Sequence, residues 1–385
     1  MTAAWLSDEQ LAFQESVRGF LSQAAPAGRV REFELAGEVS PELWQAFAAQ
    51  GLLGVGIPEH RGGAGGGAVE LALLVRELAR CSLSVAMRYL ASAYSGVQTL
   101  LRAGSEEQVE RFVVPFLAGE IEFGLGFTEP SGGADISGWR TAARRDGDGW
   151  TLSGSKVFTS NADQAERLIV LARTGSGAKP HLGFSLFLVD PAAEGVTLRR
   201  LQTLGLHAES TFEVAFADVA LPEDALVGQP GEGFYAALAS LDIERLLVAA
   251  AATGNAEAAQ QEAVSYACER EAFGRPIGAL QAVQHQLADS ACDLEASWLL
   301  TLKAAQSFDR DGSCPLEATM AKYVAAERGF AVVHRGMRVL GGYGFTTEFA
   351  MERRLRDAQV FLTGPVSSEM SRNFIGERIG LPKSY

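Results

Sequence analysis

The spacing of apolar positions changes twice along the chain. From Leu6 to about Leu117 they recur every three or four residues, and Phe13, Val17, Phe20 and Leu21 fall on one stripe. Ser7 and Gln10 stand before that stripe at the separation of a capping box, so a helix is predicted to start there. Further helical runs cover Leu43 to Gln50, Val69 to Ala79, Tyr89 to Arg102 and Gln108 to Leu117, with Gly51, Gly104 and Gly119 at their predicted ends. Beyond Phe123 the runs are short and of β type: Thr151 to Phe158, Arg167 to Ala172, Phe184 to Val189, Val196 to Leu201 and Thr211 to Phe216. Turns are predicted at Asp146-Gly147-Asp148-Gly149 and at Thr174 to Gly177. After Pro230-Gly231-Glu232-Gly233 the helical period returns, over Phe234 to Ala272, Leu280 to Asp309 and Leu316 to Leu340.

Helices, then strands with no helices between them, then long helices exclude the strand–helix alternation of a Rossmann sheet or a TIM barrel. The pattern predicts a multidomain α+β protein. Its parts are an N-terminal helical domain over 1–119, a small β-barrel or sandwich over 120–229, and a C-terminal bundle of the four-helix kind over 230–385.

Charge and composition narrow the class further. The 385 residues carry a net charge of -14, and no cluster of basic residues interrupts the acidic balance, which excludes a protein built to hold nucleic acid. Met1 to Leu11 lacks the basic start and apolar run of an export signal, and no uninterrupted apolar stretch is long enough to span a membrane. A cytoplasmic protein is expected. Cys81, Cys268, Cys292 and Cys314 form no C-x-x-C pair, and His60, His181, His207, His285 and His334 are scattered, so neither disulfides nor a metal site are predicted.

Gly63-Ala64-Gly65-Gly66-Gly67-Ala68 fits the letters of a dinucleotide fingerprint. The fit fails in context. Pro58, Glu59 and His60 separate it from the short apolar run before it, and no acidic residue occurs at 83–90 to meet a ribose. A glycine turn is the better reading. Phe127-Thr128-Glu129-Pro130-Ser131-Gly132-Gly133-Ala134-Asp135 gathers hydroxyls, glycines and backbone amides in one loop, which suits an anion or a polar ring edge. Three more segments accompany it: Gly154 to Asn161, Arg270 to Gly278, and Leu340 to Phe345.

With these four segments in this order, the chain resembles the acyl-CoA dehydrogenase family over essentially its whole length. Lesser marks agree: Ile57-Pro58-Glu59, Phe216-Ala217-Asp218-Val219, Gly231-Glu232-Gly233-Phe234 and Arg356-Asp357-Ala358. The resemblance implies FAD between the β domain and the C-terminal bundle of a homotetramer. Phe127 and Thr128 are then expected at the flavin ring, and Phe158 and Ser160 near its reactive edge. Arg270, Phe273 and Gln281 are expected at the pyrophosphate and adenosine of FAD on an adjacent subunit, where a guanidinium suits paired phosphate oxygens. Arg338, Gly341 and Gly342 are expected to serve the same cofactor, as are Ser367 and Glu369. Ala134 stands where the family commonly has serine, and Arg338 where glutamine is usual.

Removing the α proton of a thioester requires a base while the β hydrogen leaves as hydride. In most of the family a glutamate lies nine residues after the arginine of Arg-Asp-Ala; here that position is Pro365, and Glu369 comes four residues late. Leu241-Asp242-Ile243-Glu244-Arg245-Leu246 instead resembles the isovaleryl-CoA dehydrogenase branch, whose base precedes an arginine on a bundle helix. Glu244 is thus the expected base. Ala134, Arg245, Gly364 and Pro365 are the expected substrate contacts, and Gly364, where the common branch has tyrosine, implies room for a short branched acyl group. Pro365 has no N–H to offer a thioester carbonyl. An acyl-CoA or carrier-protein thioester as substrate and an electron-transfer flavoprotein as electron acceptor complete the expectation. The alternatives on the same fold are a flavin oxidase, a monooxygenase, an enoyl-thioester reductase, or a flavin-binding protein without turnover.

Overall fold

The computed structural model describes residues 5–175, 182–238 and 241–383, with Leu238 by its backbone alone; His181 and the far end of the Thr174 to Gly177 turn lie outside them. Its first helix, Asp8–Ala24, begins with the reciprocal Ser7–Gln10 capping box and buries Val17 and Leu21. Helices Ala27–Ala36, Pro41–Ala49, Ala68–Cys81 and Glu106–Leu117 follow, and a continuous helical stretch runs from Leu83 to Ala103 with a π-helical middle at Leu90–Val97.

The glycine run before Ala68 is a turn, as predicted from its context. Gly65 and Gly66 hold positive φ, and the first amides of helix Ala68–Cys81 donate to Asp309, from Ala68 N at 2.6 Å and Val69 N at 3.2 Å. A carboxylate of the chain itself thus takes the place an anionic ligand needs at a helix N-terminus. A Cβ on Gly67 would stand 2.5 Å from Asp309 Oδ1, so the close approach requires glycine.

Eight strands form the β region: β1 (Phe123–Gly126), β2 (Ala142–Asp146), β3 (Gly149–Ser160), β4 (Arg167–Arg173), β5 (Phe184–Val189), β6 (Val196–Arg200), β7 (Thr211–Leu221) and β8 (Leu226–Val227). Neighbours run β6-β7-β3-β2-β4-β5-β8, with β1 parallel to β4. Since β2 meets β4 through the single pair Ala142 and Arg173, the strands divide into two layers. Leu152, Val214 and Phe216 from one layer and Leu168, Val170 and Phe187 from the other fill the core between them. Strands β4 and β5 are apolar on both faces because Ile169, Leu171, Leu186 and Leu188 turn away from that core to pack on the helical regions. Sequence pattern missed β1, whose Phe-Gly-Leu-Gly is half glycine, and β2, whose Arg144, Arg145 and Asp146 are exposed.

Helices Leu241–Glu269, Gln281–Asp311 and Pro315–Leu340 form the long bundle, joined by helix Ala68–Cys81. Ala249, Ala252, Ala256, Ala259, Ala263 and Ala267 line the buried side of the first of these, so neighbouring backbones approach closely. The predicted single helix from Phe234 to Ala272 needs correction. It divides into Gly233–Leu238 and Leu241–Glu269, with 239–240 outside the described residues, and Arg270 to Ala272 belong to a hairpin. Phe273 at φ 54 and Gly274 at φ 75 form its turn, which a helix could not continue through. Among the described residues no helix is long and apolar enough to cross a membrane.

Candidate active site

Two stretches from opposite sides of a β-strand pair assemble one half of the site. Thr128 O accepts from Val157 N at 2.9 Å, and Phe127 O accepts from Lys156 Nζ at 2.9 Å. This stitches the Phe127–Asp135 loop to β3 and brings Phe127, Thr128, Phe158 and Ser160 together. Lys156 also pairs with Glu129 at 2.8 Å, both side chains being almost wholly buried, and Glu129 accepts from the amides of Arg140 (2.5 Å) and Thr141 (3.1 Å). An ammonium and a carboxylate are buried here because each satisfies the other and the loop backbone at once. Phe158 follows on the strand with φ 59 and is 67% exposed, an aromatic face turned to solvent at some backbone cost. Ser160 is half-buried and Ala134 exposed.

Glu244 lies in the first turn of helix Leu241–Glu269 and is half-buried. Burial pushes its carboxyl up to about 7, against the pull of the neighbouring Arg245 charge. Ile243, Leu246, Leu247 and Val248 are buried around it, and Tyr94, buried in the π-helical stretch, has a phenol that feels both Glu244 and Asp242. Arg245 leans on Asp242 (Nη1 to Oδ1, 3.5 Å) and over the Phe374 ring, while its buried Nε has no partner among the described residues. Asp242 is used elsewhere too, accepting from Ser313 Oγ at 2.9 Å and Cys314 N at 3.0 Å. This leaves Glu244 without an ion pair among the described residues, the arrangement a proton acceptor near neutrality requires.

Gly364 and Pro365 lie in the loop between the short helix Val360–Thr363 and helix Ser368–Arg378. Lys322, fully buried, donates to Phe361 O at 2.7 Å and to Val366 O, so one ammonium ties both ends of that loop to the bundle. Burial draws Lys322 down to about 8, and Arg245 and Glu369 both act on it electrostatically, so loop and Arg245 share one end of the bundle. Ser367 caps helix Ser368–Arg378 by accepting from Met370 N at 3.2 Å, and Glu369 is exposed beside Arg372. Pattern reading missed Lys156, Glu129 and Lys322. The signal was present: Lys156 falls in the inward phase of β3, and Lys322 on the buried stripe of Ala318, Ala325 and Gly329.

The remaining predicted cofactor residues lie on an outer surface. Arg270, Phe273, Gln281, Arg338, Gly341 and Gly342 are all exposed, and neither Arg270 nor Arg338 has an ion pair among the described residues. An added Cβ on Gly341 or Gly342 meets nothing within 4 Å. Phe273 is 92% exposed and Phe345 is 86% exposed, far beyond what scattered surface apolars need. Unpaired guanidinium groups for a diphosphate, aromatic faces for ring systems and open glycine backbone are the donor set of a flavin dinucleotide, and these residues fit it. Among the described residues no cluster of His, Cys, Asp or Glu is placed to hold a metal ion. The Arg356-Asp357-Ala358 segment acts as a dock: Asp357 accepts from Leu206 N at 2.7 Å, which holds the loop before β7 on helix Met351–Ala358.

Comparison with known proteins identifies the family. Family models for the N-terminal, middle and C-terminal domains of acyl-CoA dehydrogenase match residues 7–120, 124–219 and 231–380. The mitochondrial short-chain specific acyl-CoA dehydrogenase of Bos taurus is 38% identical over 87% of this chain and 81% of its own length. Butyryl-CoA dehydrogenase from Megasphaera elsdenii superposes with a TM-score of 0.91 at 32% identity, covering 97% of this chain and 98% of that one. A glutaryl-CoA dehydrogenase from Mycobacterium smegmatis in complex with FADH2 superposes at 0.93 with 27% identity, covering 100% and 97%. The chain belongs to the acyl-CoA dehydrogenase family, oxidoreductases acting on the CH–CH bond of acyl-CoA.

Proposed function

We propose that this protein is an FAD-dependent dehydrogenase that introduces an α,β double bond into a short or branched acyl thioester, with Glu244 as its base. The observation that carries the reading is the Glu244 carboxyl, held near 7 by burial and left without an ion pair among the described residues. In the reaction the Glu244 carboxylate takes the α hydrogen as a proton, and the β hydrogen leaves with its electron pair. FAD, when bound, supplies the hydride acceptor. Phe127, Thr128, Phe158 and Ser160 are assigned to the flavin ring, Gly364 to room beside the acyl chain, and Arg245, Ala134 and Pro365 to further substrate contact. Arg270, Phe273, Gln281, Arg338, Gly341, Gly342, Ser367 and Glu369 are assigned to the rest of the cofactor. The exposure of Phe273 and Phe345 supports a homotetramer in which another copy covers them. A cytoplasmic enzyme that passes electrons to an electron-transfer flavoprotein completes the reading, with CoA as thioester carrier and an acyl-carrier protein as the other candidate.

Pro365 bears on how the thioester carbonyl is polarised, since its nitrogen has no proton to donate. In the same loop Val366 N donates to no group among the described residues and is the proposed donor in its place. If the carbonyl goes without a donor, a second reading gains: an oxidase, monooxygenase or enoyl-thioester reductase on the same fold and cofactor. One screen separates them. Purified yellow protein mixed anaerobically with a panel of acyl-CoA thioesters is expected to bleach with short and branched chains. Bleaching by none of them, or rapid reoxidation of reduced, product-bound protein by oxygen, overturns the dehydrogenase reading.

A further inference from the structure

Phe158 and Ser160, assigned to the flavin, lie at the irregular end of β3. The β3–β7 register shifts between Lys156 and Thr159, and Phe158 at φ 59 and Asn161 at φ 58 both occupy the left-handed region. A bulky residue holds that conformation only where its surroundings impose it. Upstream the constraint is the buried Lys156–Glu129 pair. Downstream it is a chain of buried side chains that reaches back to the N-terminal helices.

Asn161, 2% exposed, follows Ser160 directly. Its Nδ2 donates to Glu122 Oε2 at 2.9 Å, and the direction of that bond is fixed because a carboxylate only accepts. Glu122 stands just before β1 and accepts twice from Arg88, from Nε to Oε2 at 2.7 Å and from Nη2 to Oε1. Arg88 lies on helix Leu83–Tyr89, donates from Nη1 to Val39 O at 2.7 Å, and sits over the Trp44 ring with its guanidinium carbon 5.7 Å from the centroid. Backbone bonds join the same residues: Glu122 O accepts from Glu166 N at 2.9 Å, Asn161 O from Ala165 N at 3.1 Å, and Asn161 N donates to Ser210 O at 2.7 Å. The turn leaving β3 is thus fastened to Glu122 at both its ends.

Stability alone does not call for charge here. A buried ion pair recovers little beyond the cost of its own desolvation, and apolar side chains of similar volume often serve as well. What apolar side chains lack is direction. The two-bond pair with Arg88 holds the Glu122 carboxylate in one plane, so that Oε2 meets Asn161 along a set line. We propose that Arg88 and Glu122 are positioning residues for the flavin: through Asn161 they fix where β3 ends, and so where Phe158 and Ser160 meet the reactive edge of the ring. This rests on the assignment of those two residues under the proposed function. It goes beyond it by giving the N-terminal helical domain, none of whose residues is assigned a part there, a hold on the cofactor.

The test uses the FAD-loaded protein. Asn161→Gly tolerates the left-handed backbone and removes the amide tether while leaving the Arg88–Glu122 pair satisfied, so the variant should fold. Its bound FAD is expected to show an altered visible spectrum and midpoint potential. Flavin reduction by saturating acyl-CoA is expected to slow by roughly tenfold or more at unchanged thioester Kd, the scale of a small misplacement of reacting groups. Glu122→Gln is expected to do the same, and the double variant to be no slower than the slower single, because residues acting through one contact do not add. An Asn161→Gly protein that melts lower but keeps the native flavin spectrum and potential overturns the proposal, as does a double variant whose loss is the product of the two single losses. If Glu122→Gln does not fold, the spectrum and potential of Asn161→Gly decide alone. A wild type that takes up no FAD refutes the functional reading and the proposal with it. A wild type whose bound FAD is bleached by no thioester refutes only the former, and the Asn161→Gly spectrum still reads the latter.

Discussion

Glu244→Gln isolates the base. The change keeps the size of the side chain and removes its capacity to accept a proton, and a positioned general base contributes at least about 100-fold, or about 3 kcal/mol of barrier. Rapid-mixing measurement of flavin reduction by a saturating acyl-CoA should show that loss with FAD and ligand binding intact. The pH profile gives a sharper reading. With its carboxyl near 7, Glu244 is about half ionised at neutral pH, so wild-type reduction should rise about tenfold per pH unit below that point and level off above it. The glutamine variant should show no such limb. Stability supplies a control with a sign of its own. The native carboxyl is raised from 4.5 to about 7, so the folded state loses stability as pH rises through that window, by at most about 3 kcal/mol. Glu244→Gln should escape that loss and be more stable than wild type at alkaline pH while being slower. Glu369→Gln, on an exposed residue beside Arg372, should change the rate far less. Near-native flavin reduction by Glu244→Gln, or a wild-type profile flat through pH 7, would refute the assignment of the base.

Arg270→Ala removes an exposed guanidinium that has no ion pair among the described residues, so its effect on the fold of one subunit should be small. If it serves the diphosphate of a neighbouring copy, FAD affinity should fall by roughly tenfold or more, the worth of a charged hydrogen bond, and sedimentation should show a weaker tetramer; unchanged affinity refutes the placement. Gly364→Tyr tests the acyl pocket. A Cβ there meets Val360 O at an ordinary 3.6 Å, and the extended φ of -123 suits any residue, so the variant should fold. Turnover of isovaleryl- or isobutyryl-type thioesters should drop by roughly tenfold more than that of butyryl, the worth of about one methylene of fit; equal losses would refute a role for Gly364 in branch tolerance.

The sequence carried the fold wherever one physical signal acted alone. Ser7 and Gln10 announced a helix start because a capping box depends on two residues and their separation. Strand Phe184–Val189 was legible to the residue because it is buried on both faces and reads as an apolar run broken only by Ser185. Legibility failed where tertiary contacts overrode local preference. Strand Phe123–Gly126 is held by pairing to Arg167–Val170, and its own glycines argue against a strand. The π-helical turn at Leu90–Val97 leaves no mark in periodicity, yet it carries Tyr94, on whose phenol Glu244 acts electrostatically. In the final segment, helices Met351–Ala358, Val360–Thr363 and Ser368–Arg378 are too short for a period to show, and what fixes the loop between the last two is Lys322, distant in sequence.

The site divides along the same line. Residues proposed to act through their own chemical type, such as Glu244 before Arg245 or Pro365 in place of a donor, were singled out by the family resemblance, from their place in its motifs. Residues that hold another group in place were passed over, because residue type alone does not distinguish Lys156 or Lys322 from a lysine that points to water. What distinguishes them is phase: each is a cation on a face whose other members are apolar, and a buried ammonium persists only where carbonyls or a carboxylate meet it. Lys156 meets Phe127 O and Glu129, and Lys322 meets Phe361 O and Val366 O. Both lysines therefore bind the backbone of the loops that carry the candidate site, one at the proposed flavin side and one at the proposed acyl side. The two loops, rich in glycine and proline and short of partners of their own, are kept in one conformation by charges buried in the neighbouring strand and helix, which is how a site on loops acquires the rigidity that catalysis requires.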